Sequence, residues 1–188
     1  MRSLPNILTI GRIVAIPLFA AVFFIPGPAG AWVAFAVFVA AAVTDFVDGW
    51  LARRWQVTSA FGIMLDPIAD KMLVAATLLL LCGFDRIDPI HQLAALIILM
   101  REIFISGLRE FLAGRQATGL PVSALAKWKT AIQMVASAIL ILWPGLPMVS
   151  WMQTVGSIGL WLAAGLTVWT AWGYTTEGLR QIQASDQR

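Results

Sequence analysis

The sequence predicts an all-α membrane protein of six transmembrane helices with both termini in the cytoplasm. Three observations predict it. Of 188 residues, 60% are hydrophobic and only 12% are charged. A soluble domain of this size carries about twice that charged fraction, because it must wet its surface. Six apolar stretches are each near the ~20 residues needed to cross a hydrocarbon core. The basic residues gather at alternate ends of those stretches, which sets the orientation.

The stretches cover residues 7–25, 31–51, 60–83, 90–111, 124–142 and 151–172. Pro26-Gly27-Pro28 separates the first two, and Pro144-Gly145 with Pro147 separates the last two; proline and glycine end helices. Trp32, Trp143, Trp151 and Trp172 fall near expected helix ends, where indoles favour the membrane interface. The apolar run after Arg12 is long and closes on no small-residue cleavage pattern, unlike a removable signal. With no linker, repeat or low-complexity tract, residues 1–188 are expected to form one membrane domain.

Arg2 and Arg12 lie at the first expected cytoplasmic end, Arg53 and Arg54 follow the second span, and Arg115, Lys127 and Lys129 surround the turn after the fourth. Arg180 and Arg188 lie in the tail, while the opposite side carries only Arg86. The net charge of +3 therefore describes loop asymmetry and not a basic patch, which excludes a nucleic-acid partner. Cys82 is the only cysteine, so no intrachain disulfide can form.

Charges inside the spans carry the chemistry. Asp45 and Asp48 lie near the end of the second span, and Asp66 and Asp70 near the start of the third. At mid-bilayer each would cost about 2.5–3.5 kcal/mol on insertion scales. Separations of three and four residues put each pair on one helix face. Antiparallel spans joined by a short turn bring both pairs to similar depth, where they can face each other. Four converging carboxylates repel strongly in a low dielectric, and two divalent cations would cancel that charge. An oxygen-only donor set suits Mg²⁺ or Mn²⁺. Gly49 and Ala52 leave room beside the carboxylates for a nucleobase or diphosphate. Arg53 can hold phosphate oxygens, and Gly62 opens the third span on the side of Asp66.

The bland alternatives are a proton relay, an ion pathway or structural ion pairs. Two facing pairs with glycine, alanine and arginine beside them favour a catalytic centre. A cation transporter would need a polar path, whereas the outer halves of all six spans are apolar. Glu102 can pair with a neighbouring arginine, and His91 reads as an interfacial polar residue. Arg101, Arg109, Lys127 and Lys129 form a surplus of cations near the carboxylates, which suits an anionic second substrate; for the lysines, the positive-inside bias is the competing explanation.

Residues 45–70 read D-x-x-D-G-x-x-A-R-x8-G-x-x-x-D-x-x-x-D, and this run resembles the signature of the CDP-alcohol phosphatidyltransferases. All eight signature residues are present: Asp45, Asp48, Gly49, Ala52, Arg53, Gly62, Asp66 and Asp70. The likeness extends along nearly the whole chain, beginning with Pro5-Asn6-Ile7-Leu8-Thr9-Ile10-Gly11-Arg12. It implies that Asp45, Asp48, Asp66 and Asp70 hold two divalent cations, Mg²⁺ or Mn²⁺, on the diphosphate of CDP-diacylglycerol. Asp70 would also be the general base. Asn6, Thr9, Arg12, Gly49, Ala52, Arg53 and Gly62 would line the CDP-diacylglycerol side.

Asp66-Pro67-Ile68-Ala69-Asp70-Lys71, the stretch 101–110 and Lys127-Trp128-Lys129-Thr130 resemble family members whose acceptor is sn-glycerol 3-phosphate. That likeness implies acceptor-phosphate binding by Arg101, Arg109, Lys127, Lys129 and Lys71, with serine or inositol phosphate as alternative acceptors within the family. It further implies a multi-pass homodimer in the cell inner (cytoplasmic) membrane, surrounded by membrane lipid, with its active site facing the cytoplasm.

Overall fold

The computed structural model describes residues 4–55, 60–114 and 124–186. Among them are six α-helices: α1 (Leu4–Val22), α2 (Gly27–Trp55), α3 (Ala60–Gly83), α4 (Pro89–Gly114), α5 (Ala124–Leu142) and α6 (Trp151–Asp186). A short 3₁₀ turn, Trp143–Gly145, follows α5. No strand occurs among the described residues.

The breaks between helices have local causes. After α1 the chain tightens through Phe23 N–H to Ala20 O at 3.1 Å and Ile25 N–H to Val22 O at 3.0 Å. Pro26 then prevents continuation, and Gly27 turns the chain with φ +78°, a conformation that L side chains resist. At the end of α3, Asp85 has φ 52°. Arg86 N–H reaches Leu81 O at 2.9 Å and Asp85 N–H reaches Cys82 O at 3.4 Å. This pair of bonds is a Schellman cap, with an aspartate, one of the few side chains tolerated there, in the left-handed position.

Several helices run beyond the apolar stretches. Residues 173–186 continue α6 past Trp172, and α2 extends from Gly27 to Trp55 instead of over 31–51. Hydropathy locates the part suited to lipid, whereas backbone hydrogen bonding decides where a helix ends. At 1.5 Å per residue α6 is about 54 Å long. It is too long to lie wholly inside a core of about 30 Å at ordinary tilts.

Each helix contributes to one apolar core. Phe19, Phe38, Leu81, Ile98, Leu140 and Leu160 are buried members, one from each helix. α6 packs along α5 and α4, while α1 packs against α2 and α3; α2 and α3 also touch α5. Gly156 and Gly159 let α6 approach α5 closely. A Cβ at Gly156 would lie 2.6 Å from Leu140 Cγ, and one at Gly159 would lie 2.8 Å from Ala136 Cβ. Small residues serve this purpose where lipid supplies no hydrophobic drive between helices.

Many large apolar side chains lie on the outer surface of the described residues. Leu18, Leu79, Met100, Trp169 and Trp172 are all exposed, a distribution that suits lipid and not water. Among the described residues, three stretches are long and apolar enough to cross a membrane: Gly27–Asp45, Pro89–Gly114 and Trp151–Gln183. Ile13–Val22 is a shorter apolar helix. The fold is thus all-helical, with apolar helices that fit a membrane protein.

The turns after α1, α3 and α5 meet at one end of the bundle. Trp143 Nε1 donates to Arg86 O at 3.2 Å, and Gly145 packs on Trp32, whose Cδ1 would lie 3.1 Å from an added Cβ. His91, near the start of α4, accepts from Trp161 Nε1 at 3.0 Å. Alternating connectivity therefore sends the second half of α4, the start of α3 and α5, and the end of α2 and α6 to the opposite end. The titratable residues of interest lie there.

Candidate active site

The central feature of that end is a polar cluster joining α4, α5 and α6. Arg101 and Glu102 come from α4, Lys129 from α5 and Thr170 from α6. Arg101 Nη1 donates to Glu102 Oε1 at 3.3 Å, and Arg101 Nη2 donates to Thr170 Oγ1 at 3.0 Å. Lys129 Nζ donates to the same Glu102 oxygen. The Lys129 side chain is only 5% exposed and that of Arg101 only 10%. Charges this far from water persist only when paired. The pairing expected of Glu102 is present, with two cations sharing it.

An open cavity of about 380 Å³ lies against this cluster. Asp70 and Lys71 line it from α3, and Arg101, Glu102, Ser106, Arg109 and Glu110 line it from α4. Spacings of four residues among positions 101, 105 and 109 put these side chains on one face. The floor includes buried Ile105 and the rim includes exposed Asp70 and Arg109. Lys71 Nζ donates to Pro67 O at 3.1 Å. Asp70 lines the same cavity as Arg101 and Glu102, so the α3 carboxylate and the three-helix cluster meet there.

Tyr174, one helical turn beyond Thr170, is buried. The Arg101 guanidinium carbon lies 5.7 Å from the centre of its ring and that of Arg109 lies 5.1 Å away. Both are within cation–π range.

The sequence-predicted site residues thus divide. Asp70, Lys71, Arg101 and Arg109 are brought together around the cavity. Lys129 is buried beside it and reaches it through Glu102, while Lys127 is exposed at the start of α5 and is not among the residues lining the cavity. Asp45 is half-buried on α2. Asp48 and Asp66 sit on α2 and α3, but their side chains lie outside the described residues. The same holds for the side chains of Asn6, Thr9, Arg12, Gly49, Ala52, Arg53 and Gly62. Thr170 and Tyr174 were missed in the sequence. Tyr174 is the only tyrosine of the chain, and an apolar helix carrying hydroxyl groups four residues apart was the available signal.

Three carboxylates (Asp70, Glu102 and Glu110) and three cations (Lys71, Arg101 and Arg109) around one open cavity, with Glu102 paired to Arg101, can hold an anion and take a proton from it. This arrangement, with the signature along α2 and α3, has a family. The profile of the CDP-alcohol phosphatidyltransferases matches residues 2–169, and the chain belongs to that family. It is 41% identical, over 216 aligned residues, to a CDP-diacylglycerol–glycerol-3-phosphate 3-phosphatidyltransferase of Cereibacter sphaeroides, with 96% of this chain and 97% of that one covered. It is 44% identical to the protein of the same name from Rickettsia bellii, covering 92% and 93%. A cardiolipin synthase (CMP-forming) of Oryza sativa subsp. japonica is 42% identical, covering 90% of this chain and 55% of the rice protein.

Proposed function

We propose that this phosphatidyltransferase moves the phosphatidyl group of CDP-diacylglycerol to sn-glycerol 3-phosphate, giving phosphatidylglycerophosphate and CMP. The observation that carries the reading is the company of Asp70: a carboxylate on the rim of a cavity shared with Lys71, Arg101 and Arg109. A neutral acceptor such as serine needs no such cations, whereas a phosphate monoester brings a dianion that does. The names of the bacterial relatives support the same acceptor.

The four carboxylates of the signature fit divalent cations in kind. Asp45 and Asp70 present oxygen donors on α2 and α3, half-buried and exposed respectively, and oxygen-only sets suit Mg²⁺ or Mn²⁺. Asp45, Asp48, Asp66 and Asp70 would hold two such ions, and the chemistry these would supply is neutralisation of charge on the diphosphate and on the CMP leaving group. The chain's own groups do the rest. Arg109 and Lys71 hold the acceptor phosphate, with Arg101 behind them partly neutralised by Glu102. Asp70 accepts the proton of the 1-hydroxyl, because an alkoxide does not form freely near neutral pH. The hydroxyl oxygen bonds to the phosphatidyl phosphorus, and the bond from that phosphorus to the bridging oxygen breaks to release CMP. Asn6, Thr9, Arg12, Gly49, Ala52, Arg53 and Gly62 line the CDP-diacylglycerol side in this reading.

All six helices cross the inner membrane in this account, with both termini and the carboxylates on the cytoplasmic side. The supporting observations are the meeting of the three short turns at one end and the basic residues gathered at the other. Cytosolic glycerol 3-phosphate then reaches the cavity directly.

One alternative acceptor has an observation behind it. The rice relative is named a cardiolipin synthase (CMP-forming); for this chain to form cardiolipin with release of CMP, its acceptor would have to be phosphatidylglycerol. Its phosphate is a diester with a single charge, which needs fewer cationic partners than a monoester dianion does.

The test is CMP release by the purified protein in detergent micelles containing CDP-diacylglycerol and Mg²⁺. Release should saturate with glycerol 3-phosphate and stop in excess chelator. CMP release at the same rate without any acceptor would replace the transferase with a hydrolase.

A further inference from the structure

The two arginines on the cavity side of α4 are eight residues apart, so their Cα atoms are separated by about 12 Å along the helix. Their guanidinium groups nevertheless converge on one ring, that of Tyr174, at 5.7 and 5.1 Å. The ring is fixed in place: it is 6% exposed and stands one turn from Thr170, whose hydroxyl accepts from Arg101 Nη2 at 3.0 Å. Arg101 is anchored further by Glu102. Arg109 is on the exposed rim, and its guanidinium lies against the same ring. Arg101 Nε is also buried without a hydrogen-bond partner among the described residues, an unspent donor on a side chain that lines the cavity.

We infer that Tyr174 is the positioning residue of the acceptor site, its ring holding Arg109 and Arg101 at the spacing that receives the phosphate of glycerol 3-phosphate. This rests on the acceptor reading above and goes beyond it, because Tyr174 lies on α6 and lines no part of the cavity itself. A free arginine side chain gives up considerable rotamer freedom on binding. A guanidinium already stacked on a fixed aromatic face has given it up beforehand, and preorganisation of this kind appears as affinity. The effect belongs to acceptor binding alone. Tyr174 should therefore act on KM for glycerol 3-phosphate and not on kcat.

The test replaces Tyr174 with Leu and, separately, with Phe and with trifluorinated phenylalanine. Tyr174→Leu should raise KM for glycerol 3-phosphate about tenfold, with kcat and KM for CDP-diacylglycerol within twofold of wild type. Tyr174→Phe should keep most of the affinity, since the ring remains. The fluorinated ring has the same shape as Phe but a depleted π-face, so its KM should exceed that of Phe; this comparison stands even if Leu prevents folding. Adding Tyr174→Leu to Arg109→Ala should raise the acceptor KM by a smaller factor than Tyr174→Leu does alone, since only Arg101 then depends on the ring. An equal KM for Phe and its fluorinated analogue, or a loss confined to kcat, overturns the inference. If Arg109→Ala raises the acceptor KM and the Tyr174 variants do not, only the role of Tyr174 falls. If Arg109→Ala leaves that KM unchanged, the acceptor site itself is elsewhere and both readings fall.

Discussion

Lys129 Nζ donates to Glu102 Oε1 across the interface of the fourth and fifth helices, 27 residues apart in sequence. The same oxygen accepts from Arg101, so one carboxylate balances two cations at the polar end of the bundle. Removing one partner of a buried pair costs more than removing both, because the other charge is left without compensation.

Glu102→Ala should therefore destabilise the protein by about 3 kcal/mol, seen as a lower thermal midpoint in detergent. Glu102→Gln combined with Lys129→Met should regain part of that loss, since Lys129 is then no longer stranded and only Arg101 is left without its carboxylate. A midpoint for Glu102→Ala equal to that of wild type would show that the pair is solvated and contributes nothing.

Asp70→Asn keeps the size of the side chain and removes its ability to accept a proton. Turnover should fall at least about a hundredfold, the lower end of what general-base catalysis supplies, in a protein that remains folded. Asp45→Ala should act differently, raising the concentration of Mg²⁺ needed for half-maximal turnover. A loss smaller than tenfold for Asp70→Asn would remove it from the role of base.

Orientation can be read with single cysteines on a Cys82→Ser background. Met148, in the turn before α6, is 97% exposed. A cysteine there should react with an impermeant thiol reagent in intact cells. One at Ser185, near the end of α6, should react only after the membrane is opened. The reverse pattern would put the carboxylates on the side away from cytosolic substrates.

Much of this architecture was legible in the sequence. Pro26-Gly27 and Pro144-Gly145 marked breaks that the chain does make, because a proline's missing N–H acts locally at both and the left-handed Gly27 at the first. The end of α6 was not legible: nothing in hydropathy distinguishes a helix that stops at Trp172 from one that continues into water. For the site, Arg101 and Arg109 stood out as charges inside an apolar stretch. The contacts of Arg101 with Thr170 and Tyr174 cross some seventy residues of chain. They depend on how α4 packs on α6, which no local pattern encodes. For the same reason Lys129, read as a phosphate ligand, could not be seen to sit buried against Glu102.

The central claim is that the cavity beside Asp70 takes glycerol 3-phosphate as the attacking alcohol. The most direct measurement gives the purified protein CDP-diacylglycerol with equal amounts of glycerol 3-phosphate and phosphatidylglycerol, and identifies the lipid product by mass spectrometry. Phosphatidylglycerophosphate should form in step with CMP, and cardiolipin should be at background. Cardiolipin as the main product, with no phosphatidylglycerophosphate, would contradict the account and assign the cavity to a different alcohol.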